Sequence, residues 1–206
     1  SRIPFADHGY DESWLQEQLR QHPDLIPASR IEPVFAPLIC IGTEVETASG
    51  YLDNLYISPQ GYLTVVETKL WRNPEARRQV VAQIIDYAKD VSRWDFDDLD
   101  ARVRTYSRRQ GGTEEGLIDI LGQQDLIEKE DEAQIIDTIG ENMRKGRMLL
   151  VIAGDGITES VESMAGFLSQ TPQLLFTLAL IEFQLYEMPT SGTLILPQVV
   201  ARTREV

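Results

Sequence analysis

Helical periodicity of the apolar residues predicts two long helices in the first half of the chain. The segment DESWLQEQLRQ places Trp14, Leu15 and Leu19 at helical spacing, and Pro23 ends this helix. The segment RNPEARRQVVAQIIDYAKDVS repeats the pattern and begins with a cap residue followed by proline. These two residues are Asn73 and Pro74, and the apolar stripe behind them consists of Val80, Ile84, Tyr87 and Val91.

Short apolar runs predict strands between and after these helices. PVFAPLICIG is predicted as a first strand, and GYLDNLYISPQGYLTVVETKL, residues 50–70, as two strands joined by a tight turn. RMLLVIAGDG is predicted as a fully buried strand, and LLFTLALIEFQLYEM and GTLILPQVVART as long strands that meet at PTSG. Further helices are predicted around 99–106, over 124–144 and over 158–172, with a loop at 109–116. The pattern therefore predicts one α/β domain with a mixed sheet.

Composition excludes several classes of protein. With 206 residues, 42% apolar and 25% charged, the chain resembles an ordinary globular protein. It has no apolar run of roughly 18 residues, and its first residues lack the basic and apolar regions of a signal peptide, so no membrane association is expected. A single cysteine cannot form an internal disulfide. We therefore expect a cytoplasmic protein in which Cys40 is a buried apolar residue rather than a nucleophile.

The net charge of −14 argues against a nucleic-acid partner, but the charge is distributed unevenly. Residues 66–113 carry ten basic and eight acidic side chains, so this segment is net positive. Residues 114–142 carry one basic and ten acidic side chains. We interpret the acidic segment as a solvated helix face, with a surface for docking a partner as the alternative.

The turn inside residues 50–70 sets the register of the predicted hairpin. A three-residue loop fits its chemistry, because proline presets φ for a type I turn and glycine supplies the left-handed residue that closes it. The loop consists of Pro59, Gln60 and Gly61. In that register Ser58 faces Tyr62, and every residue on the first strand has a defined partner on the second.

This register places charged residues together in the middle of the sheet. Asp53 lies opposite Glu67 on the same face, and Lys69, two residues further, shares that face. A two-residue loop would instead pair Asp53 with Val66 and turn Glu67 to the other side. The predicted juxtaposition therefore depends on the length of the loop.

Two facing carboxylates need a compensating charge. They repel each other, and burying either one unpaired costs several kcal/mol. A divalent cation between Asp53 and Glu67 would remove this penalty, and hard oxygen ligands suit Mg²⁺ or Mn²⁺. In the alternative, Lys69 neutralises Glu67 while Asp53 accepts hydrogen bonds from a loop. The residues by themselves leave both interpretations open.

Three short motifs follow one another along this part of the chain. They are Gly50 and Asp53 on one strand, Glu67 and Lys69 on the next, and Gln83 and Tyr87 on the following helix. In this order and spacing the chain resembles the PD-(D/E)xK nuclease superfamily, in particular its RecB-like branch. The resemblance implies a restriction-endonuclease-like core of helix, three strands, helix and strand around a mixed central sheet. A single domain over 1–206 would then have its core at about 11–92 and 147–170, a helical insertion at about 93–146, and a C-terminal β-hairpin at about 173–204.

The resemblance also implies a Mg²⁺ or Mn²⁺ site and roles for its residues. Asp53, Glu67 and the backbone carbonyl of Thr68 would hold the metal, which turns a water into a nucleophile for attack on phosphate. Lys69 would orient that water or stabilise the transition state electrostatically.

Three more catalytic candidates come from helices. Gln83 and Tyr87 share a helix face, and in the resembling families such side chains lie beside the metal. Core packing is the alternative for Tyr87, because it belongs to the apolar stripe. Glu12 lies on the face of Leu15 and Leu19, where related nucleases carry a glutamate that reaches the metal. A helix-start charge favoured by the helix dipole is the alternative for Glu12.

Basic and aromatic residues directly after Lys69 are candidates for binding nucleic acid. The candidates are Trp71, Arg72, Arg77 and Arg78. The arginines would neutralise phosphates beside the cut, and Trp71 would stack on an unpaired base. A solvated helix start explains Arg77 or Arg78 equally well. His8 and His22 have no Cys or His neighbours at ligand spacing, so we expect neither to be catalytic.

The expected function is that of a Mg²⁺-dependent nuclease acting on nucleic acid, with DNA as the first choice, in repair, restriction or defence. The alternative is a binding module that keeps the nuclease fold without turnover and recruits protein or nucleic-acid partners. A homodimer through the long C-terminal strands, and a further domain beyond Val206, are additional expectations that the sequence leaves open.

Overall fold

Seven strands form one mixed, open sheet in the computed structural model of the chain. The structure describes residues 2–5, 9–70, 76–156, 175–189 and 192–203. The strands are β1 (Arg2–Ile3), β2 (Ile39–Thr47), β3 (Gly50–Ile57), β4 (Leu63–Leu70), β5 (Met148–Asp155), β6 (Thr177–Glu187) and β7 (Thr193–Arg202). Their order across the sheet is β1-β6-β5-β4-β3-β2, and β7 pairs with β6.

The centre of the sheet is parallel and its flanks are antiparallel. β4 pairs with β5 and β5 with β6 in parallel, whereas β2, β3 and β4 form an antiparallel meander. Strand β5 is buried at every position but its last, as its near-continuous apolar sequence MLLVIAGD predicts. β6 and β7 form the predicted C-terminal antiparallel pair.

Helices lie between the strands in an order that makes the chain an α/β protein. The helices are α1 (Glu12–Gln21), α2 (Ala28–Ile31), α3 (Ala76–Val91), α4 (Phe96–Arg109), α5 (Leu117–Gln123) and α6 (Glu132–Lys145). Short 3-10 helices cover Pro23–Leu25, Pro33–Phe35 and Lys129–Asp131. Local chemistry explains the ends: Asp11 accepts from Trp14 N–H at 2.8 Å to cap α1, and Gly146, with φ +68°, ends α6.

Two separate apolar clusters cover the two faces of the sheet. One contains the predicted stripe of α3, which packs against Leu55 and Val65 of the hairpin strands. The other contains Leu15 and Leu19 of α1, together with Val66 from the alternate face of β4. The helical periodicities predicted for α1 and α3 are therefore confirmed, and these two helices enclose the β3–β4 hairpin from opposite sides.

Several predicted boundaries are wrong. The strand predicted over 33–42 begins only at Ile39, because Pro33–Phe35 forms a 3-10 helix and Pro37 lacks the N–H that a ladder needs. The helix predicted over 124–144 begins only at Glu132, after a left-handed residue at Asp125 with φ +54°. Helix α4 is longer than predicted, and α2, α5 and β1 were not predicted at all.

Some predictions fall outside the described residues. These are the cap Asn73, Pro74, the helix over 158–172 and the middle of the turn PTSG. Within the described ranges, no helix combines the length and apolar character needed to cross a membrane.

Candidate functional site

The turn of the β3–β4 hairpin has the predicted three-residue loop. Gly61 N–H donates to Ser58 O at 2.9 Å, and Ser58 N–H donates to Tyr62 O at 2.9 Å. Gly61 has φ +80°, a left-handed conformation that glycine adopts without strain. The loop length, on which the juxtaposition of the carboxylates depended, is therefore confirmed.

The ladder stops just before the two carboxylates. Its last pair is Asn54 with Val66, so the register brings Asp53 level with Glu67 one step further. There the Asp53 carboxylate turns onto β4, because its Oδ2 accepts from both the N–H and the hydroxyl of Thr68 at 2.6 Å. We call this region, residues 53 and 67–69, the open end of the hairpin.

Glu67 is the buried acid of the open end. Only 5% of its surface is exposed, and its Oε2 finds no hydrogen-bond partner among the described residues. Burial, reinforced by the charge of Asp53, raises the pKa of Glu67 from 4.5 to about 9, and Lys69 only partly opposes this. Burial also raises the pKa of Asp53, against the two hydrogen bonds from Thr68. Both carboxyl groups therefore lack enough positive charge around them.

Lys69 and Glu12 form an ion pair at the end of β4. Lys69 Nζ lies 3.2 Å from Glu12 Oε1, and the same oxygen accepts from Leu70 N–H at 3.0 Å. Glu12 thus ties the start of α1 to the end of β4, with 28% of the Lys69 side chain and 41% of the Glu12 side chain exposed. Lys69 thus pairs with Glu12, and Asp53 accepts hydrogen bonds from Thr68 of β4. The alternative arrangement, in which Lys69 pairs with Glu67 and Asp53 accepts from a loop, is not the one observed.

Gln83 and Tyr87 attach α3 to the start of β3. Gln83 Nε2 donates to Tyr87 OH at 2.7 Å, and this hydroxyl donates to Tyr51 O at 2.9 Å. Tyr87 is 2% exposed, so its ring packs in the core, and its hydroxyl positions the strand. Gly50, with φ +137°, leaves room for this contact, because a Cβ there would lie 3.4 Å from Tyr87 OH. Gln83 and Tyr87 therefore hold the strand that carries Asp53.

Sequence analysis missed two polar residues of this region. Gln16 Nε2 donates to Asp53 O at 2.8 Å and to Glu44 Oε1 at 2.9 Å. Glu44 has φ +49°, a conformation that non-glycine residues seldom adopt, and its charge adds to those that raise the pKa of Asp53 and of Glu67. The spacing of Gln16 one turn after Glu12 was a usable signal. Nothing in the sequence marks the left-handed backbone of Glu44.

The four candidates for binding nucleic acid stay predictions. Trp71 and Arg72 lie outside the described residues, and Arg77 and Arg78 lie in α3 with side chains that are not described.

Neither the single cysteine nor the one described histidine belongs to the site. Cys40 is half-buried, and burial raises the pKa of its thiol, which agrees with a structural role. His22 ends α1. The prediction for His8 lies outside the described residues.

The oxygen atoms at the open end can be compared with the ligands that a divalent cation prefers. Within the described ranges, no three His, Cys, Asp or Glu side chains are grouped as a metal site. The expected set is smaller, with two carboxylates and one backbone carbonyl. The N–H and C=O of a strand residue point to the same side, so the Thr68 carbonyl faces β3 beyond the last ladder pair. These are hard oxygen donors, and the partnerless Glu67 Oε2 is one of them, so the residues fit Mg²⁺ or Mn²⁺.

Comparisons with known proteins identify no relative of this chain. No family model matches it, and neither the curated proteins nor the solved structures contain a significant match.

Proposed function

We propose that this protein is a metal-dependent phosphodiesterase of the PD-(D/E)xK type, a nuclease that uses Mg²⁺ or Mn²⁺ and has DNA as its first expected substrate. The observation that carries the proposal is the buried Glu67, whose Oε2 has no partner in the described part of the chain and which lies level with Asp53. Burying such a group is unfavourable unless a ligand compensates it.

The order of elements supports a restriction-endonuclease-like core. Helix α1, the antiparallel strands β2, β3 and β4, helix α3 and the parallel strand β5 follow one another in the chain. The three motifs occupy the end of this core where β3 and β4 separate. The helices α4, α5 and α6 then form the insertion between α3 and β5.

The residues present would divide the work at the open end. Asp53, Glu67 and the Thr68 carbonyl would hold the cation, which when bound supplies a Lewis acid that neutralises phosphate charge and makes a water more acidic. Thr68 orients Asp53 through its two hydrogen bonds. Glu12 holds Lys69, so that the ammonium stands at the edge of the site, where charge develops on phosphate.

A cleavage assay tests the proposal. Labelled single- and double-stranded DNA and RNA are incubated with the wild type in Mg²⁺, Mn²⁺ or EDTA. Asp53→Asn, Glu67→Gln and Lys69→Ala should each reduce cleavage by about 100-fold or more, since each removes a charge that the transition state requires. Asp137→Asn, which replaces an exposed carboxylate on α6 away from the open end, is the control and should retain activity.

Two results would contradict the nuclease proposal. Cleavage that persists in EDTA excludes the metal, and cleavage that survives Asp53→Asn and Lys69→Ala places the chemistry elsewhere. Metal binding and nucleic-acid binding without any cleavage would instead favour the binding module.

A further inference from the structure

A groove lies between β2 and α4, next to the open end of the hairpin. Its strand side runs from Thr43 to Glu46, and its helix side includes Arg102, Thr105 and Arg109. These three residues are spaced three and four apart, so they share one face of α4. The groove is therefore formed where the helical insertion meets an edge strand of the sheet.

The groove is continuous with the candidate site. Glu44 lines the groove, and Gln16 joins Glu44 to the backbone of Asp53 by hydrogen bonds of 2.9 and 2.8 Å. A chain-like ligand whose reacting group lies at Asp53 would therefore leave the site along Glu44 and reach the arginines of α4.

The arginines of α4 fall into two classes. Arg104 is neutralised by Asp100 at 2.7 Å, and Arg108 by Glu114 at 2.6 Å. Among the described residues, no carboxylate lies within ion-pair distance of Arg102 or Arg109, although Glu44 and Glu46 line the same groove. The positive charges that face the groove are thus the ones that the protein has not paired.

Arg102 is also held in a defined position. Its guanidinium lies 4.1 Å from the centre of the Trp94 ring, and it donates to Glu46 O at 3.1 Å and to Asp98 O at 2.8 Å. A guanidinium held by an aromatic ring and backbone carbonyls keeps its full charge, and this geometry suits recognition of phosphate. Arg109 is exposed about two turns further along α4.

We propose that this groove binds the phosphodiester backbone of a nucleic-acid strand, with Arg102 and Arg109 contacting phosphates next to the one that reaches the open end. The inference rests on the proposed function and adds the path of the substrate. A chain with net charge −14 can bind a polyanion only where its cations are concentrated and unpaired. The groove face of α4 supplies two such cations, Arg102 and Arg109, across from the carboxylates of Glu44 and Glu46.

Binding measured without cleavage tests the groove separately from the catalytic proposal. A fluorescein-labelled single-stranded 20-mer of DNA, and the RNA of the same sequence, are titrated by anisotropy with the Lys69→Ala protein in Mg²⁺ at several salt concentrations. In this background Arg109→Gln and Arg102→Gln should each weaken binding by about threefold or more. Each should also reduce the slope of log affinity against log salt by about 0.7, the value for one phosphate contact on a single strand.

The matched controls are the paired arginines of the same helix. Arg104→Gln and Arg108→Gln should leave affinity and salt slope unchanged, and melting temperatures confirm that every variant is folded. An effect of Arg109→Gln on DNA, on RNA or on both supports the groove and identifies which polymer it accepts.

Three outcomes with nucleic acid overturn the inference. They are equal losses for all four arginines, no loss for Arg109→Gln, and unchanged binding of a strand with an uncharged methylphosphonate backbone. Polyglutamate bound with the same dependence on Arg109 would point to an acidic protein partner and would also overturn it. Failure of the wild type to cleave any substrate would contradict the proposed nuclease activity, but it would not change what these binding results say about the groove.

Discussion

The two ends of the β3–β4 hairpin differ in how their buried polar groups are hydrogen-bonded. At the turn end, Ser58 Oγ donates to Val34 O at 2.7 Å, and Asn142 Nδ2 donates to Gly61 O at 3.0 Å. At the open end the ladder has stopped, and Glu67 Oε2 is buried without a partner in the described ranges. The turn residues are thus hydrogen-bonded to neighbouring elements, although Thr64 Oγ1 near the turn also lacks a partner in those ranges, whereas the open end leaves a carboxylate oxygen unpartnered.

This difference distinguishes polar groups that stabilise the fold from a polar group that is a candidate for function. A buried polar group with a partner contributes modestly to stability, whereas one without a partner costs more than it returns. Four buried side-chain atoms in the described part of the chain lack a partner, and Glu67 Oε2 is the one carboxylate oxygen among them. A buried carboxyl group that has no such partner and keeps its proton at neutral pH is one whose ionisation a bound divalent cation would favour.

The largest expected effect is the pH dependence of stability that Glu67 causes without metal. Its pKa is raised from 4.5 to about 9 on folding, so the folded state holds a proton that the unfolded state has lost. The stabilisation is complete below pH 4.5 and is lost as the pH rises toward 9. Between pH 5 and pH 8 this group should lower the free energy of unfolding by about 4 kcal/mol.

Urea unfolding in EDTA at pH 5, 6, 7 and 8 measures this dependence. Glu67→Gln should remove most of the slope, because its side chain does not titrate. Equal slopes in the wild type and in Glu67→Gln would show that Glu67 titrates normally, and the open end would then be no more strained than the turn end.

The next effect is stabilisation by a divalent cation, which should act at the open end alone. Mn²⁺ at 100 times its dissociation constant should stabilise the wild type by about 2.7 kcal/mol, or about 5–10 °C in melting temperature. The shift should grow from pH 6 to pH 8, because the cation competes with the proton on Glu67. Glu67→Gln should lose the shift, and a shift of the same size in that variant would place the metal elsewhere.

A smaller effect is expected at the turn end. Gly61→Ala puts a side chain on a residue with φ +80°, and its Cβ would lie 3.1 Å from Ile139 Cγ1. The left-handed conformation alone should cost about 1–2 kcal/mol, measured by urea unfolding. Gly146→Ala is the matched control, since Gly146 has φ +68° but nothing within 4 Å of the added Cβ.

The two ends of the hairpin are expected to respond independently to this substitution. Gly61→Ala should be more destabilising than Gly146→Ala and should leave the Mn²⁺ shift of melting temperature unchanged. A Gly61→Ala protein that is stable but no longer responds to Mn²⁺ would mean that the two ends are coupled rather than independent.

The smallest effect should come from Gln16, which supports the open end without belonging to the ligand set. Gln16→Ala removes the bridge from Asp53 O to Glu44 and should reduce cleavage by about threefold to tenfold, as loss of an orienting contact around a metal site does. Gln18→Ala on the same helix is the control. No change in cleavage or in Mn²⁺ affinity would show that Gln16 is dispensable.

The sequence predicted the hairpin well because its information is local. The loop of Pro59, Gln60 and Gly61 sets the register, and the register brings Asp53 level with Glu67. The boundary errors arise where local signals compete, as at Pro33–Phe35, where an apolar run folds as a 3-10 helix. Helix α5 (Leu117–Gln123) was missed because it is only seven residues long, so its helical period is hard to recognise.

The roles of individual site residues divide in the same way. Lys69 was expected beside the carboxylates, and its charge does act on Glu67, but its ion pair is with Glu12 of α1. For Tyr87 both core packing and a place beside the site were expected; the structure shows core packing and a hydrogen bond from its hydroxyl to β3, and a role beside a metal stays a prediction. The spacing of Gln16 one turn after Glu12 was a signal that was not used, whereas Glu44 carries none, because its contact with Gln16 joins elements far apart in the chain.

The amino-acid sequence was enough to predict which residues lie level across the hairpin, because strand period and turn length depend on neighbouring residues. Tertiary packing alone decided that Glu67 is buried with one oxygen unpartnered among the described residues, that Glu12 pairs with Lys69, and that α4 places two arginines without a described ion pair at a groove. Burial and long-range pairing depend on which surfaces meet when helices close over the sheet, and no local pattern specifies that.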